Sequence, residues 1–344
     1  MKRIPGVDLF KIIGVIAVIT LHVTSLSFPA TRHITEFSNP LLIANQAARF
    51  AVPYFFIISG YFWGKKIIAG ADILQTSIKF VKRVLIVFLA WSFIYLLPYD
   101  IFGDFKYGPV GLLKITFSHV LDVAKHPLRF LLVGTSDHLW FLSALMISAI
   151  TCACLLFTRR IYILLTFSAV LYIIGLLGGA YAYTPIGIHF AFSTRNGPFE
   201  GLAFFASGYF LSTMKPNRSW LWKGCVFLAV GYMLHFLELY LLIARFEVKI
   251  LPDYLLGTFF VGIGFALIAL SNAVLPSAHF LSTYATLTLG VYAIHVIYLD
   301  LLVHAKGMFP GGLWYPFIII AVYILSVSRV FLMSKNQTLR QIVT

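Results

Sequence analysis

"VDLFKIIGVIAVITLHVTSL", residues 7–26, is an apolar run that carries one imidazole, His22, and two charges, Asp8 and Lys11, near its start. How it is read depends on its solvent, and composition names the solvent. The chain has 344 residues, of which 60% are hydrophobic and only 11% charged, with a mean hydropathy of +0.92. A soluble domain carries roughly a quarter charged and about half apolar residues. Apolar stretches of about 20 residues, the length that crosses a bilayer core, recur along the whole sequence. Residues 7–26 are therefore the first membrane helix. A secretory signal is excluded, because the apolar stretch is too long, Asp8 and Lys11 interrupt it, and no A-x-A site follows.

Working outward from this first span, 9–28, nine more are expected at 46–64, 84–102, 139–157, 161–180, 198–213, 220–243, 254–275, 284–304 and 313–333. They are too long, and alternate too little, for barrel strands. Lipid offers the backbone no hydrogen-bond partner, so each must be a helix. With no internal repeat and no Ser/Gly/Pro-rich linker, the expectation is an all-α, polytopic helical membrane protein of about ten spans, residues 1–344 forming a single domain. Its expected home is a bacterial inner membrane.

Orientation follows from basic residues. With the N-terminus inside, the cytoplasmic segments hold 16 of the 26 Lys and Arg residues, Lys2 and Arg159 among them; the other 10, including Arg32 and Lys249, are spread over longer outer loops. The positive-inside rule then places both termini in the cytoplasm. The formal charge of +14 reflects this topology and attraction to anionic lipid, with no call for nucleic acid. Cys152, Cys154 and Cys225 lie in apolar spans without a basic neighbour, so no metal, redox or nucleophilic role is expected of them. There is no H-E-x-x-H and no Walker lysine loop, and "GIGFAL" at 262–267 is a helix-packing pattern.

Inside a membrane an ionisable side chain is costly and by default marks function. Lys11 and His22 are eleven residues apart, close to three helical turns, and share a stripe with Asp8 and Val15. Further polar groups collect towards the outer half: Arg49 just before Pro53, His138, Arg195 and Glu200 around the start of the sixth span, His235 with Glu238, and Tyr292 with His295. Such groups face a water-filled cavity or pair with one another.

These residues carry a resemblance. The first span resembles the D-x-x-R-x(10)-H signature of the acyltransferase 3 family, and "ARFAVPYFFIISGYFWG" at 48–64 is similar to that family's R-F-x-V-P-x-F-F-x-x-S-G-Y stretch. "HLWFLSALM" at 138–146, "RNGPFEGLAFFASGYFL" at 195–211 and "LGVYAIHVIYL" at 289–299 fit its pattern in the expected order. There are two departures. Lys11 stands where the family has arginine, keeping the charge but losing the bidentate fork, and "KFVKR" at 79–83 stands where it often has R-x-x-R.

The resemblance implies acyl transfer, acetyl being the commonest group, from cytoplasmic acyl-CoA to a sugar hydroxyl outside, on a surface polysaccharide or lipid-linked sugar. It implies His22 as base or covalent acyl relay, Asp8 as the partner of Lys11, and Arg49 on the acceptor or oxyanion. The phosphates of acetyl-CoA, or of another acyl-CoA donor, would meet Lys65, Lys66, Lys79, Lys82 and Arg83. Arg195, Glu200, Glu238, Tyr292 and His295 would support the acceptor side. The other class this composition allows is a polysaccharide or lipid-linked sugar transporter, which also needs many helices around a polar cavity. The Lys11–His22 stripe together with "RFAVPYFFIISGYF" favours the enzyme.

Overall fold

A computed structural model describes residues 3–28, 37–100, 103–157, 160–246, 250–271, 279–308 and 311–344. Lys2, Arg32, Arg159 and Lys249 lie outside them. The described residues contain no strand. The helices, in chain order, are α1 (Pro5–Ser25), α2 (Pro40–Ala47), α3 (Ala51–Ile68), α4 (Ile73–Ile94), α5 (Gly108–Lys125), α6 (Pro127–Val133), α7 (Trp140–Leu156), α8 (Ile161–Gly178), α9 (Pro198–Ser212), α10 (Ser219–Arg245), α11 (Leu256–Leu270), α12 (His279–Val303), α13 (Trp314–Ser334) and α14 (Gln337–Arg340).

Among the described residues seven helical stretches are long and apolar enough to cross a membrane: Pro5–Ser25, Pro40–Ile68, Asp137–Leu156, Ile161–Gly178, Ser219–Arg245, Leu281–Lys306 and Trp314–Ser334. The other three expected spans are also helical but differ in kind. Helices α9 and α11 have 15 residues each, about 22 Å at 1.5 Å per residue, short of a core of about 30 Å. Most of α9 is buried among neighbouring helices, so it is sheltered by protein. Helix α4 starts eleven residues before the expected third span, where the Asp72 carboxylate accepts from Gln75 N at 2.8 Å, and so takes in Lys79, Lys82 and Arg83. It ends at Ile94, four residues before Pro98, which cannot continue a helix and constrains the residue ahead of it.

The chain forms two compact units, each from two separate stretches of sequence. One comprises Met1–Val81 and Ala144–Ala285, the other Lys82–Ser143 and Thr286–Thr344.

In the first unit α1 opens with Pro5 at its first turn, where a missing N–H costs nothing. Its hydroxyls turn back onto its own carbonyls: Thr20 donates to Ile16 O at 3.0 Å and Ser25 to Leu21 O at 2.6 Å, which keeps them paired inside an apolar span. Helices α3 and α9 each carry an S-G-Y-F sequence, at 59–62 and 207–210. The two cross at these glycines: a Cβ on Gly60 would overlap the Phe205 carbonyl, and one on Gly208 the Ile57 carbonyl. Only glycine lets the backbones approach so closely. An apolar cluster of Leu42, Leu239, Leu242, Leu251 and Leu255 seats α2 against α10 and the segment leading into α11.

In the second unit Trp91 Nε1 donates to Ile342 O at 2.8 Å and Tyr95 OH to Ala293 O at 2.8 Å, tying α4 to the chain end and to α12.

The orientation has a direct check. Ile188 and Asn217 are both exposed, on the α8–α9 and α9–α10 connections. A cysteine at 188 should react with an impermeant thiol reagent added outside, and one at 217 should not. The reverse labelling would invert the topology. Position 34, another loop expected outside, lies outside the described residues.

Candidate functional site

The polar groups of the first unit are assembled around Asp253, an acid on the short connection between α10 and α11. Arg49 sits in a single 3-10 turn, Ala48–Phe50, between α2 and α3. Pro53 has no N–H for the carbonyl four residues back, which is that of Arg49 itself, so the regular ladder is interrupted there. The Arg49 Nη1 atom donates to Asp253 Oδ1 at 2.7 Å, and its side chain is only 12% exposed. Arg195 Nη1 approaches the same oxygen at 3.6 Å.

Burial alone would raise the Asp253 carboxyl. The guanidiniums of Arg195 and Arg49 and their hydrogen bonds outweigh it and hold the group below its ordinary value of 3.8. The group therefore stays ionised at physiological pH. The stability it contributes is fully present above the unfolded value and is lost as pH falls through the lower folded one.

Behind the ion pair runs a continuous hydrogen-bond chain. Arg49 Nε donates to Asn45 Oδ1 at 3.3 Å, and Asn45 Nδ2 donates to Leu21 O at 3.2 Å and Thr24 Oγ1 at 3.0 Å on α1. Gln46 Nε2 donates to Asn45 Oδ1 at 3.1 Å. Its carbonyl oxygen accepts from His235 Nε2 at 3.1 Å, while His235 Nδ1 meets Thr258 Oγ1 at 3.0 Å. Every one of these groups is matched, so the network fixes Arg49 rigidly. The residues flanking His22 are thus one asparagine away from Arg49.

His22 is half-buried. By helical geometry its stripe with Lys11 lies to one side of the α1 face that receives Asn45. Lys11 sits about 16 Å along the axis from His22, with its ammonium 5.9 Å from the centre of the Phe62 ring. Asp8 lies a further turn towards the N-terminus.

Glu200, in the first turn of α9, is 2% exposed, and its Oε2 has no hydrogen-bond partner among the described residues. Asp253, Arg49 and Arg195 are the charges that act on it. Gly197, at φ +82°, turns the chain between Arg195 and Glu200 in a backbone region that favours glycine. Pro198 then opens α9.

Arg195 and Asp253 also line a cavity of about 350 Å³ between the α8–α9 and α10–α11 connections, together with His189, Phe192, Thr194 and Tyr254. Phe190 and Phe192 stack at 5.2 Å beside it. A cavity of this kind, with aromatic faces and a few fixed charges, suits a polar ligand that has flat apolar faces.

The surroundings of the remaining expected residues are these. Glu238 is taken up by the start of α11: Leu256 N donates to its Oε1 at 3.2 Å and Gly257 N to its Oε2 at 2.8 Å, with Tyr181 OH also bonded to it. A carboxylate on the free N–H groups of a helix N-terminus is a stable arrangement, and it positions Asp253 only four residues upstream. Tyr292 and His295 belong to the second unit. There Tyr292 OH donates to His138 O, His295 Nδ1 donates to Tyr292 O at 2.6 Å, and the His138 and His295 rings lie 5.3 Å apart.

Of the residues expected to meet donor phosphates, Lys79, Lys82 and Arg83 are exposed and, at i, i+3 and i+4, share one face of α4. Lys66 is exposed; Lys65 is half-buried, with Nζ donating to Met214 O at 3.3 Å. Sequence reading missed Asp253, Asn45 and Gln46. An acid beside a proline in a short connection, and two amides at the head of a span, look like ordinary loop and cap residues. No group of three or more metal-ligating side chains exists among the described residues.

A family model described as an acyltransferase domain matches residues 4–332. An amino-acid racemase of Enterococcus faecalis is 31% identical over 179 residues, 52% of this chain and 23% of that protein. A serine/alanine racemase of Enterococcus gallinarum is 28% identical over 226 residues, 62% of this chain and 30% of that protein. The chain thus spans less than a third of the length of these curated relatives. No solved structure matches it.

Proposed function

The chain belongs to the acyltransferase 3 family, and on that premise we propose that it moves an acyl group, most simply acetyl, from cytoplasmic acyl-CoA to a hydroxyl of a surface polysaccharide or lipid-linked sugar. The observation that carries the reading is the family match over nearly the whole length, in a chain of apolar membrane-length helices. The racemase names belong to much longer proteins, and they bring no reaction to this chain.

His22 is the proposed acid–base or relay group, because neutral imidazole accepts a proton near physiological pH. As base, it takes the proton of the acceptor hydroxyl while that oxygen bonds to the thioester carbonyl carbon. The C–S bond then breaks, and the proton passes to the departing thiolate. As relay, the imidazole nitrogen bonds to the thioester carbonyl carbon, the C–S bond breaks and coenzyme A leaves as thiolate, which takes the imidazole N–H proton. The acceptor hydroxyl oxygen then bonds to the same carbon, the N–C bond breaks, and the hydroxyl proton returns to the imidazole. Lys11 and Asp8 mark the donor end of the same stripe. The cavity beside Arg195 and Asp253 supports the acceptor end: its aromatic rings match the apolar faces of a sugar, and its charges match the hydroxyls. Arg49, locked by Asn45 and Asp253, would hold a fixed positive charge beside the Asp253 wall of that cavity. The bilayer itself is the third partner.

Purified chain in sealed vesicles, given radiolabelled acetyl-CoA on the cytoplasmic side and cell-envelope glycan on the other, tests the reading. Label on the glycan establishes the enzyme. Glycan movement without label would replace it with transport.

Donor binding has its own test. Lys82→Ala and Arg83→Ala should each weaken acyl-CoA binding by about 1–3 kcal/mol, the range for a hydrogen bond to a charged group. Wild-type affinity should fall as salt rises, since exposed charges are screened over about 8–10 Å. Unchanged affinity in both variants with a salt-independent wild type would move the donor site towards Lys11.

A further inference from the structure

We propose that α5 lies flat in the lipid headgroup region, with one face in the acyl chains, as an interfacial helix of the second unit. None of its residues is buried, yet it exposes Val110 (67%), Leu113 (71%), Phe117 (68%), Val120 (47%) and Leu121 (40%). At 100° per residue these five fall within an arc of about 100°. Five large apolar side chains on one arc are not a surface that water favours.

The rest of the helix says what covers them. Leu112, Ile115, Thr116, His119 and Val123, on another face, are half-buried. His119 Nδ1 lies 3.1 Å from Leu96 O, just past the end of α4, so α5 is held beside the end of the helix that carries the expected third span. Lys114 and Lys125 border the apolar arc, where their stems can lie along acyl chains and their ammonium groups can reach anionic headgroups. The third face carries Ser118 and Asp122. Asp122 pairs with Arg129 at 3.0 Å, both side chains more than half exposed, as suits a side turned to water. Leu128 and Leu131 on α6 extend the apolar surface. With Lys114, Asp122 and Lys125 in its 18 residues, α5 is not among the helices apolar enough to span.

A spin-label scan tests this. In a background where Cys152, Cys154 and Cys225 are alanine, single cysteines replace Val110, Leu113, Phe117 and Leu121, and, as controls on the same helix, Ser118, Asp122 and Lys125. The labelled chain is reconstituted in phosphatidylethanolamine–phosphatidylglycerol vesicles. The expected result is a several-fold higher ratio of oxygen to nickel-chelate accessibility at the four apolar sites than at the three controls, following the helical period. Equal nickel access at all seven sites would put α5 in water and overturn the proposal. Apolar sites shielded from both reagents, with spin–spin broadening between copies, would overturn it in favour of a second copy of the chain.

Discussion

Replacing His22 by alanine is expected to lower acyl transfer by about 10²–10⁴-fold, the usual worth of a positioned general acid or base, and to abolish it if the imidazole carries the acyl group. Insertion should not change, because one side chain in a 21-residue apolar helix hardly alters the free energy of the span. The structure sharpens the expectation. Leu21 and Thr24, on either side of His22, are gripped by Asn45, so the loss of the ring leaves its backbone where it was and the effect reports chemistry. Turnover of labelled acetyl-CoA by purified His22→Ala decides it, and near-normal turnover would sink the mechanism. Lys11→Ala should show its effect chiefly in donor affinity, because the lysine sits about 16 Å away along the helix.

Arg49→Ala is expected to give the largest loss of stability among the site variants. It removes the 2.7 Å pair to Asp253, frees one acceptor of Asn45, and leaves the carboxylate with only the longer approach of Arg195. Breaking a buried pair from one side costs about 3–5 kcal/mol. Asp253 keeps 29% of its side-chain surface, so the low end, about 3 kcal/mol, is the expectation. Asp253→Ala alone should cost a similar amount, because it leaves two guanidiniums facing each other. The double variant should cost clearly less than the sum of the two single ones, the mark of a direct coupling. Melting temperatures of the four proteins in one detergent measure the cycle. Strict additivity would mean that the two residues do not act on each other.

The sequence by itself determined the helical class, the positions of most spans and the Lys11–His22 stripe. The reason is that each rests on a short-range periodicity. Lipid forces every apolar run of sufficient length to satisfy its backbone internally, and eleven residues on one helix fix a face without help from any other. The 3-10 turn at Arg49 came from the structure, and its cause is local as well: Pro53 offers no N–H to the Arg49 carbonyl. Where boundaries moved, as in α4, the cause was again local: Asp72 starts the helix and Pro98 limits it, whereas hydropathy sees only the apolar middle. Tertiary structure alone decided what the charges do. Asp253 meets Arg49 across 204 positions and Arg195 across 58, and nothing near any of the three names its partner. Glu238 and Arg195 look alike as polar residues near the ends of spans, yet one is consumed by the N-terminus of α11 and the other lines a cavity. Tyr292 and His295 pack with His138 in the second unit, a partner that no local pattern names. Hydropathy tells which residues leave water; only packing tells which of the polar ones that go with them are paired off and which border a cavity.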